Sequence, residues 1–350
     1  MNKGRVLLGM SGGVDSSVAA MMLQNDGFEV VGLTFIFSEL KGQNEIAVRE
    51  AGKLAEEIGI KHFVCDLRSD FTKAIVNYFT QEYQNGRTPF PCAICNPELK
   101  FKNLLKNAEI YHCNYIATGH YARIKKHNGR QYIFEGTDTN KDQSFFLWGL
   151  GEDVLNKLIL PLGGLNKTQT RTYANRLGFS YLSRKKDSLG ICFIEENNYR
   201  KFLKSKGLES KPGYFVDIGG KVLGRHSGIL NYTIGQRRGL GINANKPMFV
   251  SGISAATNEI VLSDYEDLYK NRILVSNMKC IDIQEFDKDR VFTVRIRYRL
   301  QNTPCKVELL QKGQAIIYLL EPVAMVANGQ TAVFYDGDRV VGGGFIESSE

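Results

Sequence analysis

The amino-acid sequence predicts an α/β protein in which a doubly wound parallel sheet is followed by two β-rich segments. Three observations carry this expectation. Apolar, strand-like runs alternate with stretches of helical spacing through the first half of the chain. From Gly207 to about Tyr269 glycines are dense and the helical period disappears. From Lys270 onward short alternating strands are parted by Asp/Gly turns such as Asp336-Gly337-Asp338, the signature of a small barrel or sandwich. A chain of 350 residues suits two or three domains, expected at 1–206, 207–269 and 270–350.

Taken in order, Arg5–Met10 reads as a buried strand and Ser16–Asn25 as a helix that Gly27 ends. Glu29–Phe37 is strand-like, Glu45–Ile58 helical and closed by Gly59, His62–Leu67 a strand, and Asp70–Tyr83 a helix. Tyr115–Thr118 adds a strand, and helices are expected over Lys167–Leu177 and Asn198–Lys206. Lys211-Pro212-Gly213 supplies a turn into the β-rich part.

Composition narrows the class of function. Hydrophobic residues at 43% and charged residues at 23% exclude a disordered chain. The longest nearly apolar run, Val30–Phe37, is far short of the roughly 20 residues a membrane helix needs. Met1–Arg5 leads straight into a strand without the pattern of a signal peptide, so a cytoplasmic protein with no membrane partner is expected. Seven cysteines are too sparse for a disulfide scaffold, so a cysteine cluster points to chemistry or metal. A net charge of +8 favours a polyanionic partner such as nucleic acid.

Gly9-Met10-Ser11-Gly12-Gly13-Val14-Asp15-Ser16-Ser17 lies between a strand and a helix. There, bare glycine backbone at a positive helix end suits phosphate oxygens. No lysine follows as in a Walker A loop, so ordinary γ-phosphate transfer is not indicated. Cys92-x-x-Cys95 sets two thiols close together in sequence, whereas Cys65, Cys113, Cys280 and Cys305 read as packing residues. In Val291–Leu300, Arg295, Arg297 and Arg299 alternate with Val294, Ile296 and Tyr298, giving one basic face of a strand, which suits a phosphate backbone or simply a solvated sheet face. Arg184-Lys185-Lys186 and Arg237-Arg238 extend the basic character.

Ser11–Ser17 resembles the PP-loop of the ATP pyrophosphatases, enzymes that split ATP into AMP and pyrophosphate to adenylate a substrate oxygen. Gly86–Asn96 with Lys100-Phe101, Ala117–Arg123, Lys186–Phe193, Leu160–Gly163, Gly224–His226, Tyr232–Gly241 and Arg297-Tyr298 extend the likeness over nearly the whole chain. Together they resemble the tRNA-specific 2-thiouridylases, which replace oxygen by sulfur at C2 of the wobble uridine. The resemblance implies a nucleotide-hydrolase-like α/β domain, a small central β domain and a C-terminal β-barrel that contacts tRNA. It implies ATP contacts at Gly9, Met10, Ser11, Gly12, Gly13, Val14, Asp15, Ser16, Phe35 and Gly119, with Asp15 holding Mg²⁺ or the leaving pyrophosphate. It implies Cys192 as a persulfide carrier loaded by a sulfur-donor protein, Cys95 as its catalytic partner, and tRNA contacts at Lys141, Asp142, Gln143, Arg297 and Tyr298.

The chemistry is coherent: adenylation makes the oxygen a leaving group, and a thiolate or persulfide supplies sulfur. One departure stands out, because the family pattern has an aspartate where this chain has Cys92. Plain thiol chemistry, an iron–sulfur cluster on Cys92, Cys95 and Cys192, and a zinc site are all open at this point. His120, at the end of an expected strand, is read equally well as structural or functional. The rival functions are an amidotransferase-type adenylating enzyme and a non-catalytic tRNA-binding protein.

Overall fold

The computed structural model describes residues 3–38, 43–183, 190–243, 246–298 and 302–350. The chain forms two compact units: one comprises residues up to Ala74, Cys92–Phe193 and Asp338–Val341, and the other Ile75–Pro91, Ile194–Gly337 and Gly342–Glu350.

In the first unit, β1 (Arg5–Gly9), β2 (Glu29–Ile36), β3 (Lys61–Asp66), β4 (Tyr115–Thr118) and β7 (Leu158–Ile159) make a sheet of order β3-β2-β1-β4-β7. The pairings are parallel, with Leu7 opposite Val31 on one side and Ile116 on the other. Val6, Leu7 and Leu8 are fully buried, as expected of a central strand covered on both faces. Successive strands run from β1 to one side and later strands lie on the other. The carboxyl ends of β1 and β4 therefore mark the switch point where such sheets bind ligands.

Helix α1 (Val14–Asn25) buries Val18, Ala19, Ala20 and Leu23 in a core shared with Val6, Leu8, Tyr121, Leu162 and Ala174. Helix α2 (Gln43–Glu57) precedes β3. Between β3 and β4, a seven-residue π-helix, Cys95–Phe101, runs into α3 (Lys102–Ile110). After β4 come the hairpin of β5 (Ala122–His127) and β6 (Arg130–Glu135) and then α4 (Lys167–Arg176). The hairpin turns on Asn128 and Gly129, both at positive φ (47° and 85°), the conformation a two-residue hairpin loop demands.

The helix expected over 70–83 forms, running from Arg68 to Gln84 with a π-turn, Thr72–Val76, inside it. Two local expectations fail. Lys141-Asp142-Gln143, which the sequence alone also reads as a polar helix start, opens no α-helix; only a 3₁₀ turn, Ser144–Phe146, follows it. The strand expected over 291–300 stops at Arg295, so the alternation does not carry Arg297 onto the same sheet face.

The second unit holds two β modules. Among the described residues, β8 (Gly213–Val216), β9 (Val222–His226), β10 (Phe249–Ser254) and β11 (Glu259–Ser263) form a sheet of order β10-β11-β8-β9 over Phe215, Val250, Ile260 and Leu262. The strands β12 (Tyr269–Cys280), β13 (Phe292–Arg295), β14 (Thr303–Leu309), β15 (Ala315–Ala324), β16 (Thr331–Asp336) and β17 (Arg339–Ser349) pair in the order β12-β15-β14-β13-β16-β17. Pairing of β17 back onto β12, with Val275 opposite Ile346, closes this antiparallel barrel and removes its edges. Ile273, Val275, Val294, Val307, Ile317 and Val333 are buried along its strands.

Candidate active site

The loop after β1 is held by backbone and hydroxyl bonds. Met10 N–H donates to Leu33 O (2.8 Å), and Thr34 Oγ1 donates to Met10 O (2.9 Å). Thr34 thus spends its proton on Met10, so the 2.8 Å contact from His62 Nε2 to Thr34 Oγ1 requires the imidazole to be the donor. Burial holds the His62 pKa down, which favours that neutral ring. Ser11 N–H donates to Ser16 Oγ (3.2 Å), and the hydroxyls of Ser16 and Ser17 both donate to Gly13 O (3.2 and 2.8 Å).

The glycines do different work from one another. Gly12 has φ +72°, and a Cβ there would stand 3.0 Å from Ala47 O and 3.1 Å from Glu50 Cβ of α2. Its bare side therefore faces a helix, and it is needed for the turn and that close approach. Gly13 would meet only Ser11 Oγ at 3.4 Å, an ordinary contact. At Gly119 a Cβ would come within 2.9 Å of Asp15 C and Ser16 N, so the end of β4 packs directly on the first turn of α1.

Asp15 is engaged from a long way off in sequence. Lys167 Nζ, 152 positions away, contacts both carboxylate oxygens at 2.7 and 2.9 Å. Tyr121 Oη donates to Oδ1 at 2.7 Å and lies 3.0 Å from Thr170 Oγ1. Lys167, Tyr121 and Thr170 had drawn no separate attention in the sequence; only their folding onto Asp15 reveals them. Mg²⁺ commonly takes one or two carboxylates plus phosphate oxygens. Asp15 fits as one such ligand, and no further carboxylate ligand is assigned beside it.

All seven cysteines are free thiols. Cys92 lies in a helical turn, Cys92–Ile94, and Cys95 opens the π-helix that Lys100 and Phe101 end. Cys192 is exposed, and its neighbour Phe193 packs edge-on against Phe71 at 5.3 Å. Phe71 in turn meets Phe37, and Phe37 meets Phe35 (5.4 and 5.5 Å). Phe35 thus begins an aromatic run that reaches the segment bearing Cys192.

Burial pushes the Cys92 thiol up to about 11 and the Cys95 thiol up to about 12; Cys192 is also raised, although solvent reaches it, because protein surrounds much of the sulfur. Cys192 raises both other thiols further, and Cys92 raises Cys95. The ammonium of Lys100 works in the opposite direction on all three. Lys100 belongs to a stretch that the sequence singled out without giving the lysine a part. His120 stacks on Phe101 (5.9 Å), with Nδ1 2.7 Å from Thr118 Oγ1. Burial, aided by Lys100, keeps its pKa well below the ordinary value, hence a neutral ring. Among the described residues no group of three His, Cys, Asp or Glu side chains is drawn together as a metal site.

The RNA-facing candidates separate into two kinds. Asp142 is buried: Oδ1 accepts from the N–H groups of Gly136 and Ser144 (2.9 and 3.1 Å), and Oδ2 from the Ser144 hydroxyl (2.8 Å). Gln143 exchanges two bonds with the backbone of Tyr121, through its Oε1 (2.9 Å) and its N–H (2.8 Å). Both shape the loop before the 3₁₀ turn. Lys141 and Tyr298 are half-buried. In the second unit, Arg297 donates to Met325 O, a residue at φ +62°, and Arg295 bonds Asn302 Oδ1 (2.8 Å) while lying over the Tyr335 ring. Arg184, Lys185, Lys186 and Arg299 lie outside the described residues.

A parallel sheet with a serine- and glycine-rich loop at its switch point, joined in sequence to two β modules, defines a nucleotide-loop domain with β-rich accessory domains. Three family descriptions match in that order: tRNA methyl transferase HUP domain over residues 4–196, tRNA methyl transferase PRC-barrel domain over 200–264, and aminomethyltransferase beta-barrel domain over 270–346. The chain belongs to the tRNA-specific 2-thiouridylase family. It is 42% identical over 355 residues to tRNA-specific 2-thiouridylase MnmA 3 of Phocaeicola vulgatus, covering 98% of this chain and 94% of that relative. It is 42% identical over 358 residues to MnmA 1 of Bacteroides fragilis strain YCH46, covering 99% and 98%. Against MnmA of Cytophaga hutchinsonii the figure is 40% over 364 residues, covering 99% and 98%.

Proposed function

We propose that this protein is an ATP-dependent sulfurtransferase that converts the wobble uridine of tRNA to 2-thiouridine. The observation that carries the reading is the end-to-end likeness to proteins named for that activity, together with the Gly9–Ser17 loop and the paired Cys95 and Cys192. ATP would sit on the loop at the switch point, near Phe35 and Gly119, with Asp15 as one ligand of a bound Mg²⁺. Magnesium would neutralise phosphate charge there.

The uracil O2 attacks the α-phosphorus, and pyrophosphate leaves. A persulfide on Cys192, loaded by a sulfur-donor protein, attacks C2 through its terminal sulfur, and AMP leaves with the former oxygen. The thiolate of Cys95 then attacks the inner sulfur of Cys192. The C2-bound sulfur departs with the electron pair to become the thiocarbonyl, and a Cys95–Cys192 disulfide remains for a dithiol to reduce. The base must leave its stack to reach the thiols. Lys100 favours the anionic sulfur at each stage. On the RNA side, Lys141 and Tyr298 are the proposed contacts, with Asp142, Gln143 and Arg297 holding their loops. A cytoplasmic setting, where tRNA and reductants are at hand, fits this chemistry, and among the described residues no helix is long and apolar enough to cross a membrane.

The test is 2-thiouridine formation measured by mass spectrometry of digested tRNA, with wild type and Cys192→Ser. Loss of thiolation with tRNA-dependent pyrophosphate release and tRNA binding retained supports the reading. Undiminished 2-thiouridine from Cys192→Ser would remove Cys192 from the reaction.

A further inference from the structure

We propose that Lys167 is a phosphate-binding residue of the nucleotide site, held in reserve by Asp15 until a triphosphate enters. The proposal rests on the ATP reading above and adds to it a ligand from outside the loop. Its basis is geometric. Lys167 Nζ lies 2.7 and 2.9 Å from the two oxygens of Asp15, a residue of the loop itself and of the first turn of α1. The ammonium is therefore within one side chain of the place where phosphates would meet the loop.

Its anchor is rigid. Helix α4 starts at Lys167, behind a capping box in which Asn166 Oδ1 accepts from Gln169 N–H and Gln169 Oε1 from Asn166 N–H (both 2.8 Å). The Lys167 N–H is bonded to Asp138 Oδ2 at 3.1 Å. The ammonium, which also lies over the Tyr121 ring at 5.8 Å, ends a flexible four-carbon stem that can redirect its charge while the backbone stays in place. The Lys167 side chain is only 13% exposed, against 35% for Asp15. The cation is sheltered and the carboxylate is the open partner, so an incoming anion meets Asp15 first.

That order of exposure creates a problem that an exchange of partners solves. A triphosphate would face the like charge of Asp15, so a cation is needed between them: the ammonium supplies it before Mg²⁺ arrives and stands beside the metal afterwards. The ammonium carries three rotatable donors, so turning its last bonds moves one or more of them from carboxylate to phosphate oxygen. Asp15 is not left bare, because Tyr121 Oη still donates to Oδ1. The lysine thus neutralises Asp15 in the empty site and the phosphates in the filled one.

The experiment is calorimetric titration of the full chain with ATP, AMP and inorganic pyrophosphate, alongside thermal unfolding. Lys167→Met is expected to weaken ATP and pyrophosphate binding by about tenfold to a hundredfold, the loss of one charge-assisted hydrogen bond. AMP, which lacks the β- and γ-phosphates, should lose much less, and Lys167→Arg should recover part of the ATP affinity. A Lys167→Met protein that melts earlier yet binds ATP and pyrophosphate as wild type does overturns the proposal: the ion pair would then only fasten α4 to α1. Wild type binding neither ATP nor pyrophosphate would instead overturn the nucleotide reading beneath it. Should Lys167→Met fail to fold, Asp15→Asn decides. Releasing the ammonium should strengthen metal-free pyrophosphate binding, and unchanged or weaker binding by the folded variant refutes the exchange.

Discussion

Replacing Gly119 by alanine tests whether the end of β4 sets the position of the nucleotide loop. The new Cβ would lie 2.9 Å from Asp15 C and Ser16 N and 3.1 Å from Asp15 O, against the 3.5–4.0 Å or so at which carbon atoms rest comfortably. The atoms in the way are backbone, held by the serine hydroxyl bonds to Gly13 O and by the grip of Lys167 on Asp15. Overpacking of this kind costs about 1–3 kcal/mol. In a unit of this size each kcal/mol shifts the melting temperature by roughly 2–4 °C, so a fall of about 2–12 °C is expected. The strain should also push the first turn of α1 aside and lower ATP affinity about tenfold or more. Gly164→Ala is the control, since nothing lies within 4 Å of a Cβ there and its φ is not positive; it should be neutral to within about 0.5 kcal/mol. Scanning calorimetry and ATP titration of the three proteins make the comparison. If Gly119→Ala melts within a degree of wild type and binds ATP as tightly, the loop does not depend on this contact.

Three further outcomes follow from the site and the barrel. Because Cys92 and Cys95 are raised to about 11 and 12, their alkylation by iodoacetamide should keep climbing about tenfold per pH unit beyond pH 9, and Lys100→Met should slow it at every pH; a plateau near pH 8.5 contradicts the burial argument. Arg297→Ala removes the donor to Met325 O and should cost about 1–3 kcal/mol while changing the slope of log tRNA affinity against log salt by less than one; a slope change of about one would identify Arg297 as a phosphate contact. Cys92→Asp should retain 2-thiouridine formation, since Cys95 and Cys192 suffice for sulfur transfer; iron present in anaerobic wild type, and lost from the variant along with activity, would reverse that view.

Sequence patterns reached those parts of the fold whose signals are local. β1, α1 and β2 were legible because apolar runs and glycine stops are nearest-neighbour features. The Asn128-Gly129 turn carried an equally local signal for the β5–β6 hairpin, and it went unused. The π-helix at Cys95–Phe101 was not legible, because its wider winding leaves no simple hydrophobic period and Pro97 reads as a breaker. The alternation around Arg295 misled, since the strand ends there while the sequence pattern runs on. At the site, the loop and the thiols were visible as motifs, but the grip of Lys167 and Tyr121 on Asp15 exists only through tertiary folding across 152 and 106 positions.

The dependence of the loop on distant parts of the chain bears on when the protein becomes competent. The segment Gly9–Ser17 is synthesised ahead of every residue it rests on: Ala47 and Glu50 through Gly12, Gly119, and Lys167. A nascent chain that has emerged only as far as Asn166 carries the whole motif without the cation that balances its aspartate. Contacts of such long sequence separation form late, because closing large loops is entropically costly. Nucleotide affinity in this protein is therefore a readout of the completed first unit, and ATP should act on the folding chain as a ligand that selects finished molecules from partly assembled ones.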